Sequence, residues 1–275
     1  MGRTPVYYFS HGGPTIIEDT KHPAFASLQE IGREITQKVK PRAVIVVSAH
    51  WQAGPTTVEV NTAESEPLIY DYYGFPDRFY KLQYPNKGST ALSGEILSRL
   101  QRAGIKARGV KRGLDHGVFA SFTVAFDPQQ NPLGVPLVQV SLFDSDDADQ
   151  HYRLGEALAG LRDEGVLIIV SGMAVHNLRE MFSFRGQPGS APYAVSFLEA
   201  FGKAVEEEPK DRQAAMVALL TRSDARRAHP SFEHLLPIHV GAGAALNDTG
   251  KLLFSYPDGT LGWAQCRFGE VQAAS

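Results

Sequence analysis

The sequence of 275 residues predicts an α/β fold: a single domain over residues 1–275 with a central, mostly parallel or mixed sheet flanked by helices. Two observations predict this class. Short apolar runs rich in β-branched residues, typical of strands buried on both faces, alternate with amphipathic helical segments through most of the chain. Three of these runs lead directly into a histidine, at His11, His50 and His176. Open α/β sheets bind ligands at the carboxyl ends of their strands, so a site is expected at that edge.

The first half of the chain is predicted to form two strands and two helices around one long loop. Residues 6–10 and 43–51 are the apolar runs expected to form strands. Residues 23–40 and 89–103 are predicted helices, because their apolar residues recur at spacings of three and four. Residues 64–88, here called the aromatic loop, are rich in Tyr, Phe, Pro and Gly and are expected to be an ordered loop that lines or covers a cavity.

The second half continues the alternation of strands and helices. Strands are expected at 136–142 and 166–175, separated by a helix at 151–164 that ends at a glycine. Further helical segments follow, and two strands close the chain. These segments are helices at 196–205 and 212–220, a polar connector at 222–227, a helix-like stretch at 228–245, and strands at 252–256 and 260–267.

Composition excludes several classes of protein and partner. The net charge of −3 provides no basic field, so neither a nucleic acid nor an acidic membrane is an expected partner. The single cysteine, Cys266, excludes an internal disulfide and any cysteine-based metal cage. No run of 18 apolar residues or signal-like segment is present, and a cytoplasmic location is expected. A homo-oligomer is left open, since the aromatic loop is as suited to an interface as to a lid.

The positions of the nine histidines indicate a metal site. His11, His50 and His176 each end an apolar strand, so a common sheet would bring them to one edge. His116 lies in a glycine-flanked turn, and His234 lies near the C-terminus with His229 and His239. Imidazole is a frequent ligand of zinc and iron, so this convergence predicts a divalent cation held mainly by nitrogen.

Each of these residues also has a structural interpretation. A single histidine at a strand end is more often hydrogen bonded within the fold than bound to metal. His22 and His151 are expected to be surface or capping residues, and His239 a core residue, because five helical positions turn it away from His234. Glu233 is either a solvated helix carboxylate or a further metal ligand.

Six motifs, in order from Ser10 to Pro237, resemble the class III extradiol ring-cleaving dioxygenases, the superfamily of the protocatechuate 4,5-dioxygenase beta subunit. Within it they are most similar to the DOPA 4,5-dioxygenase-like branch. The motifs are Ser10-His-Gly-Gly-Pro, Val46-Val-Ser-Ala-His-Trp, Tyr70-Asp-Tyr-Tyr-Gly-Phe-Pro, Gly113-Leu-Asp-His-Gly, Gly172-Met-Ala-Val-His-Asn-Leu and His229-Pro-Ser-Phe-Glu-His-Leu-Leu-Pro. One departure is Gly13, which stands where many relatives have a serine.

The resemblance implies roles for individual residues. It implies metal ligation by His11 and His50, with His234 as the third ligand in this branch. The wider superfamily uses a glutamate at the third position, which makes Glu233 the alternative. His176 matches an acid/base histidine that is sometimes an additional ligand. His116 matches a histidine that contacts the substrate or assists proton transfer.

The implied activity is extradiol cleavage of a catechol-type aromatic diol by O₂, giving a muconic semialdehyde. Fe(II) is the expected cofactor, with Zn(II) as the alternative occupant. Two other functions are kept open at this point: a zinc-dependent hydrolase-type enzyme, and a non-catalytic metal-binding protein on the same fold. Tyr70, Tyr72, Tyr73 and Phe75 are candidates to wall an aromatic pocket. Arg78, Arg112 and Arg179 are candidates to hold a substrate carboxylate, with surface salt bridges as the alternative role.

Overall fold

The computed structural model describes residues 2–271 and contains one continuous mixed sheet. The first five strands are β1 (Val6–Ser10), β2 (Ala43–Gln52), β3 (Thr57–Asn61), β4 (Lys106–Val110) and β5 (Leu137–Leu142). The last four are β6 (Val166–Gly172), β7 (Val175–His176), β8 (Gly250–Asp258) and β9 (Leu261–Phe268). The strand order is β4-β3-β5-β2-β6-β1-β9-β7, and β8 pairs with β9.

Helices connect most of these strands. Those within the described residues are α1 (Pro23–Glu34), α2 (Thr90–Arg102), α3 (His116–Ala125), α4 (Ala148–Ala159), α5 (Met181–Phe184), α6 (Pro192–Glu206), α7 (Pro209–Thr221), α8 (Ala225–Ala228) and α9 (Leu236–Ala245). A π-helical turn at Ile35–Val39 extends α1, in agreement with the predicted helix. None of the helices in this part of the chain is long and apolar enough to cross a bilayer.

The centre of the sheet is parallel and its edges are antiparallel or mixed. β5, β2, β6 and β1 run parallel to one another, whereas β3 is antiparallel to β5 and β9 is antiparallel to β1. Alternate residues of the central strands face two separate hydrophobic cores, as the two-residue period of a strand requires. Tyr8 and Ile45 face α4, α6 and α9, while Tyr7 and Val44 face α1, α3 and the aromatic loop. The predicted α/β class, a single domain with a mixed sheet between helices, is confirmed.

Four details differ from the prediction. β3 and β4 were not predicted: β3 is short, with only two apolar residues, and β4 lies at the sheet edge with largely exposed residues. The apolar run at 166–175 is not one strand: β6 ends at Gly172, and β7 pairs instead with β9. The helix-like stretch at 228–245 becomes helical only from Leu236. His116 lies in the first turn of α3 rather than in an isolated turn.

Candidate metal centre

Five histidines meet at the carboxyl ends of the central strands, and they are called the histidine cluster below. Its members are His11, His50, His116, His176 and His234. His11 follows β1 directly, and His50 is the eighth residue of β2. Because β1 and β2 flank β6 in parallel register, with Ser10 opposite Gly172 and Ser48 opposite Ser171, both histidines reach the same edge of the sheet.

Three members of the cluster bring their ring nitrogens close enough to share one cation. Ligand atoms of His11, His50 and His234 all lie within 4.8 Å of one another. The Nε2 atoms of His50 and His234 are 3.1 Å apart. The Nε2 atom of His11 is buried and has no hydrogen-bond partner among residues 2–271. A buried ring nitrogen without a partner is costly, so this geometry fits a site that receives a ligand from outside the chain.

The other ring nitrogen of each of these histidines lies beside an oxygen. Nδ1 of His11 is 2.7 Å from the carbonyl oxygen of Gly12. Nδ1 of His50 is 2.9 Å from a carboxylate oxygen of Asp71, and Nδ1 of His234 is 3.0 Å from Oε1 of Glu233. Carbonyl and carboxylate oxygens only accept, so each Nδ1 carries the hydrogen and each Nε2 presents a lone pair.

Burial favours the neutral form of four members of the cluster, His11, His116, His176 and His234. Desolvation, reinforced by neighbouring histidines, lowers the pKa of His11 and of His234 well below the ordinary value. Burial likewise lowers the pKa of His176 to about 3. Burial also lowers the pKa of His116, although the nearby Asp71 carboxylate opposes this effect. Neutral imidazoles are the form that binds a metal or accepts a proton.

His234 reaches the cluster because its segment packs directly on the end of β6. The carbonyl oxygen of His234 accepts a 3.0 Å hydrogen bond from the amide of Met173. A Cβ atom at Gly172 would lie only 2.2 Å from that carbonyl oxygen, so the approach requires glycine at this position. On the opposite side, Gly117 makes room for His50, since a Cβ there would lie 2.8 Å from the ring.

His50 owes its direction to an irregularity in β2. The pairing of β2 with β5 shifts in register between Val47 and Gln52, the segment that carries His50. Such irregularities re-aim side chains next to functional sites. Next to this part of β2, the fully buried Asp115 accepts hydrogen bonds from Ser48 Oγ at 2.7 Å and from Arg112 Nη1 at 2.9 Å. This buried network fixes the start of α3 against the end of β2.

His176 and Glu233 also lie beside His234. The ring of His176 stacks on the ring of His234 with centroids 3.6 Å apart and an interplanar angle of 15°. His176, Glu233 and His234 form a second group whose ligand atoms lie within 4.8 Å of one another. Two candidates from the sequence therefore lie beside His234: His176 on the face of its ring and Glu233 at its Nδ1 atom.

Asp71 is the site residue that the sequence reasoning missed. It lies in the aromatic loop, contacts both His50 and His116, and belongs to a third group of possible metal ligands with them. Although burial alone would raise it, the pKa of Asp71 is held well below its usual range by hydrogen bonds from His116 and His50. The signal that could have identified it is its place in the Tyr70-Asp-Tyr-Tyr-Gly-Phe-Pro motif, where it is the one carboxylate.

The remaining histidines lie apart from this cluster. His22 caps the N-terminus of α1, where its ring accepts a hydrogen bond from the amide of Ala24, as predicted. His151 is not a surface residue: it is fully buried in the first turn of α4. The core position predicted for His239 is confirmed, with its Nε2 3.1 Å from the carbonyl oxygen of Met216. His229 is also buried, with Nε2 2.9 Å from the carbonyl oxygen of Ala174.

The candidate pocket aromatics divide into two groups. Tyr72 is buried and lies edge-on to His116, with ring centroids 5.3 Å apart, and Phe75 packs against Tyr72. Tyr73 is 90 % exposed, so it does not wall a pocket in this structure. A cavity of about 640 Å³ beneath the aromatic loop is lined by none of the clustered histidines, so it is not the metal centre.

The three candidate arginines occupy different surroundings. Arg78 forms an exposed ion pair with Glu18, as the alternative role predicted. Arg112 is neither a surface residue nor free for a substrate, because it lies over the Trp51 ring and pairs with Asp115. Arg179 is exposed.

This chain matches known proteins over most of its length. The family model described as the catalytic LigB subunit of aromatic ring-opening dioxygenase matches residues 4–262. A 4,5-DOPA dioxygenase extradiol from Beta vulgaris is 35% identical over 93% of this chain and 92% of its own. A protein of the same name from Escherichia coli is 32% identical over 88% of this chain and 85% of its own.

A solved structure shares the fold over nearly the whole chain. It is the crystal structure of an uncharacterized protein from Escherichia coli K12, with a TM-score of 0.78 and 28% sequence identity. The match covers 97% of this chain and 100% of that one. Since the family model and the named relatives each span most of the sequence, this chain belongs to the LigB family of aromatic ring-opening dioxygenases and is an oxidoreductase.

Proposed function

We propose that this protein is a metal-dependent extradiol dioxygenase that opens a catechol-type diol with O₂ and releases a muconic semialdehyde. The observation that carries the proposal is the convergence of Nε2 atoms from His11, His50 and His234. With each Nδ1 donating to an oxygen, the Nε2 atoms of His50 and His234 present two lone pairs 3.1 Å apart. Two lone pairs at that distance repel unless a metal ion or a shared proton lies between them, and the unpartnered Nε2 of His11 beside them favours the metal ion.

We assign His11, His50 and His234 as the metal ligands. Glu233 is placed behind His234, where its carboxylate orients the ring, rather than in the ligand set. His176, stacked on His234, is a neighbour of the ligands and not an additional ligand in this assignment. Three neutral nitrogens suit both Fe(II) and Zn(II), and we favour Fe(II) because zinc has no redox chemistry to offer O₂.

When bound, Fe(II) would supply a Lewis acid that favours the ionised diol and a path for electrons to O₂. The chain itself must accept the protons of the diol. We assign the first proton to Nε2 of His116, because the Asp71 carboxylate beside Nδ1 would stabilise the resulting imidazolium. His176, held neutral by burial on the other side of His234, is the second acid/base group.

Aromatic side chains are suited to hold the ring of the substrate. Tyr72 and Phe75 lie edge-on to each other with centroids 5.4 Å apart, and Tyr72 is also edge-on to His116. The Tyr72 hydroxyl donates to the carbonyl oxygen of Phe79, which fixes the ring and leaves its apolar body facing the cluster. We propose these two residues as the aromatic wall of the diol site.

Anaerobic loading with Fe(II), followed by a catechol and then O₂, tests the activity. We expect one O₂ consumed per diol and a yellow ring-fission product. His11→Ala should lose both metal binding and turnover. The matched control His22→Asn, which keeps an N-cap acceptor outside the cluster, should retain both. Protein that retains zinc firmly and consumes no O₂ with iron would instead favour the hydrolase alternative. A cytoplasmic location and a homo-oligomer stay predictions.

A further inference from the structure

Asp71 is shared between a proposed metal ligand and a proposed proton acceptor. One carboxylate oxygen lies 2.9 Å from Nδ1 of His50. The other lies 2.8 Å from Nδ1 of His116 and accepts a 3.0 Å hydrogen bond from the His116 amide. A single carboxylate therefore uses both oxygens to accept from two rings of the histidine cluster.

Two hydrogen bonds fix the residues just before Asp71. The Tyr70 hydroxyl donates to the carbonyl oxygen of Leu82 at 2.7 Å, which closes the loop on itself. The amide of Ile69 donates to the carbonyl oxygen of Leu114 at 2.8 Å, which ties the loop to the segment before α3. Asp71 is thus delivered by a folded loop and not by a freely moving side chain.

We propose that Asp71 is a positioning residue that holds His50 and His116 in the tautomer with hydrogen on Nδ1. In this tautomer the Nε2 lone pair of His50 faces the metal position, and that of His116 is free to accept a proton. The inference rests on the proposed function for the two roles, but the tautomers themselves are a property of the metal-free protein.

Replacing the carboxylate by an amide distinguishes positioning from simple packing. Asp71→Asn has the same shape but only one acceptor oxygen, whereas the native contacts require two. In the variant, the single amide oxygen should stay beside His116, because His116 presents two N–H groups to it. The amide NH₂ then faces His50. His50 must then accept at Nδ1 and carry its hydrogen on Nε2, which opposes metal binding.

The test combines nitrogen NMR of the histidine rings with metal titration. In wild-type protein without metal, His50 and His116 should both be protonated at Nδ1 only. In Asp71→Asn, His50 should shift to the Nε2–H form, and the Kd for Zn(II) in competition with a chromophoric chelator should rise about 10–100-fold. Asp77→Asn, an exposed aspartate of the same loop, is the control and should change neither measurement.

Two results would overturn the inference: His50 protonated at Nε2 in the wild-type protein, or Asp71→Asn binding Zn(II) within threefold of wild type. The first result is measured on the wild-type protein, so it can refute the inference even if Asp71→Asn fails to fold. Expected tautomers in a wild-type protein that fails to cleave any catechol would instead refute the proposed function. The two failures are therefore distinguishable.

Discussion

Gly172→Ala should disturb the metal centre from a position that contacts no metal. The added Cβ would lie 2.2 Å from the carbonyl oxygen of His234, so that carbonyl must withdraw by about 1 Å to reach ordinary contact. Its hydrogen bond from Met173 would then be lost. Overpacking lowers the free energy of unfolding by about 1–3 kcal/mol, and loss of the hydrogen bond lowers it by about 1 kcal/mol. Replacing glycine raises it by about 0.5–1 kcal/mol, because the unfolded chain becomes less flexible.

The net expectation is a loss of about 2 kcal/mol in the free energy of unfolding, measured by urea denaturation. Binding sites tolerate displacements of about 0.5 Å, so a shift of His234 by about 1 Å should also weaken zinc binding at least tenfold. Gly94→Ala is the control: Gly94 lies in α2 with open space around its Cβ position, and the variant should gain about 0.5–1 kcal/mol. Unchanged stability and unchanged zinc affinity in Gly172→Ala would refute the packing argument.

Three further predictions test the ligand assignment and the core. Glu233→Gln keeps an acceptor behind His234 and should weaken zinc binding about tenfold in a chelator competition, whereas His234→Ala should abolish zinc binding. If Glu233→Gln abolished zinc binding and His234→Ala only weakened it, Glu233 would be the ligand. Arg162→Met removes a buried guanidinium that pairs with Asp248 and should lower the free energy of unfolding by about 3 kcal/mol in urea titrations. A loss of less than about 1 kcal/mol would contradict this prediction. Burial raises the pKa of the Cys266 thiol, so a disulfide reagent at pH 8 should label it only after unfolding in guanidinium; rapid labelling of native protein would place it at the surface.

The central strands and the convergence of their terminal residues were predictable because both follow from local rules. Buried parallel strands appear as continuous apolar runs, and the carboxyl ends of parallel strands share an edge. These two rules bring His11 and His50 together without knowledge of any other contact. His176 also reaches this edge, as predicted, but not at the end of one long strand, because an apolar run does not reveal that β6 ends at Gly172 and that Val175 pairs with β9.

Asp71 and β4 were missed for a different physical reason. Asp71 lies in an irregular loop without a period, and its contacts to His50 and His116 cross 21 and 45 positions of the chain. β4 is a sheet-edge strand whose residues are mostly exposed, so no apolar pattern marks it. Burial of His151 was likewise invisible, since its ring packs against Phe143, which lies outside α4 and off its helical period, with centroids 5.5 Å apart.

The division of charge in the site supports the assignment of neutral ligands. Histidines that ligate a metal do so as neutral rings, and the two carboxylates, Asp71 and Glu233, lie one hydrogen bond further out than His50 and His234. A divalent cation held by neutral nitrogens keeps more of its charge for an incoming anion than one held by carboxylates. The ionised diol of the proposed function is such an anion, and this arrangement would favour its binding at the metal position. The outer carboxylates then compensate charge and fix the rings without competing for the cation.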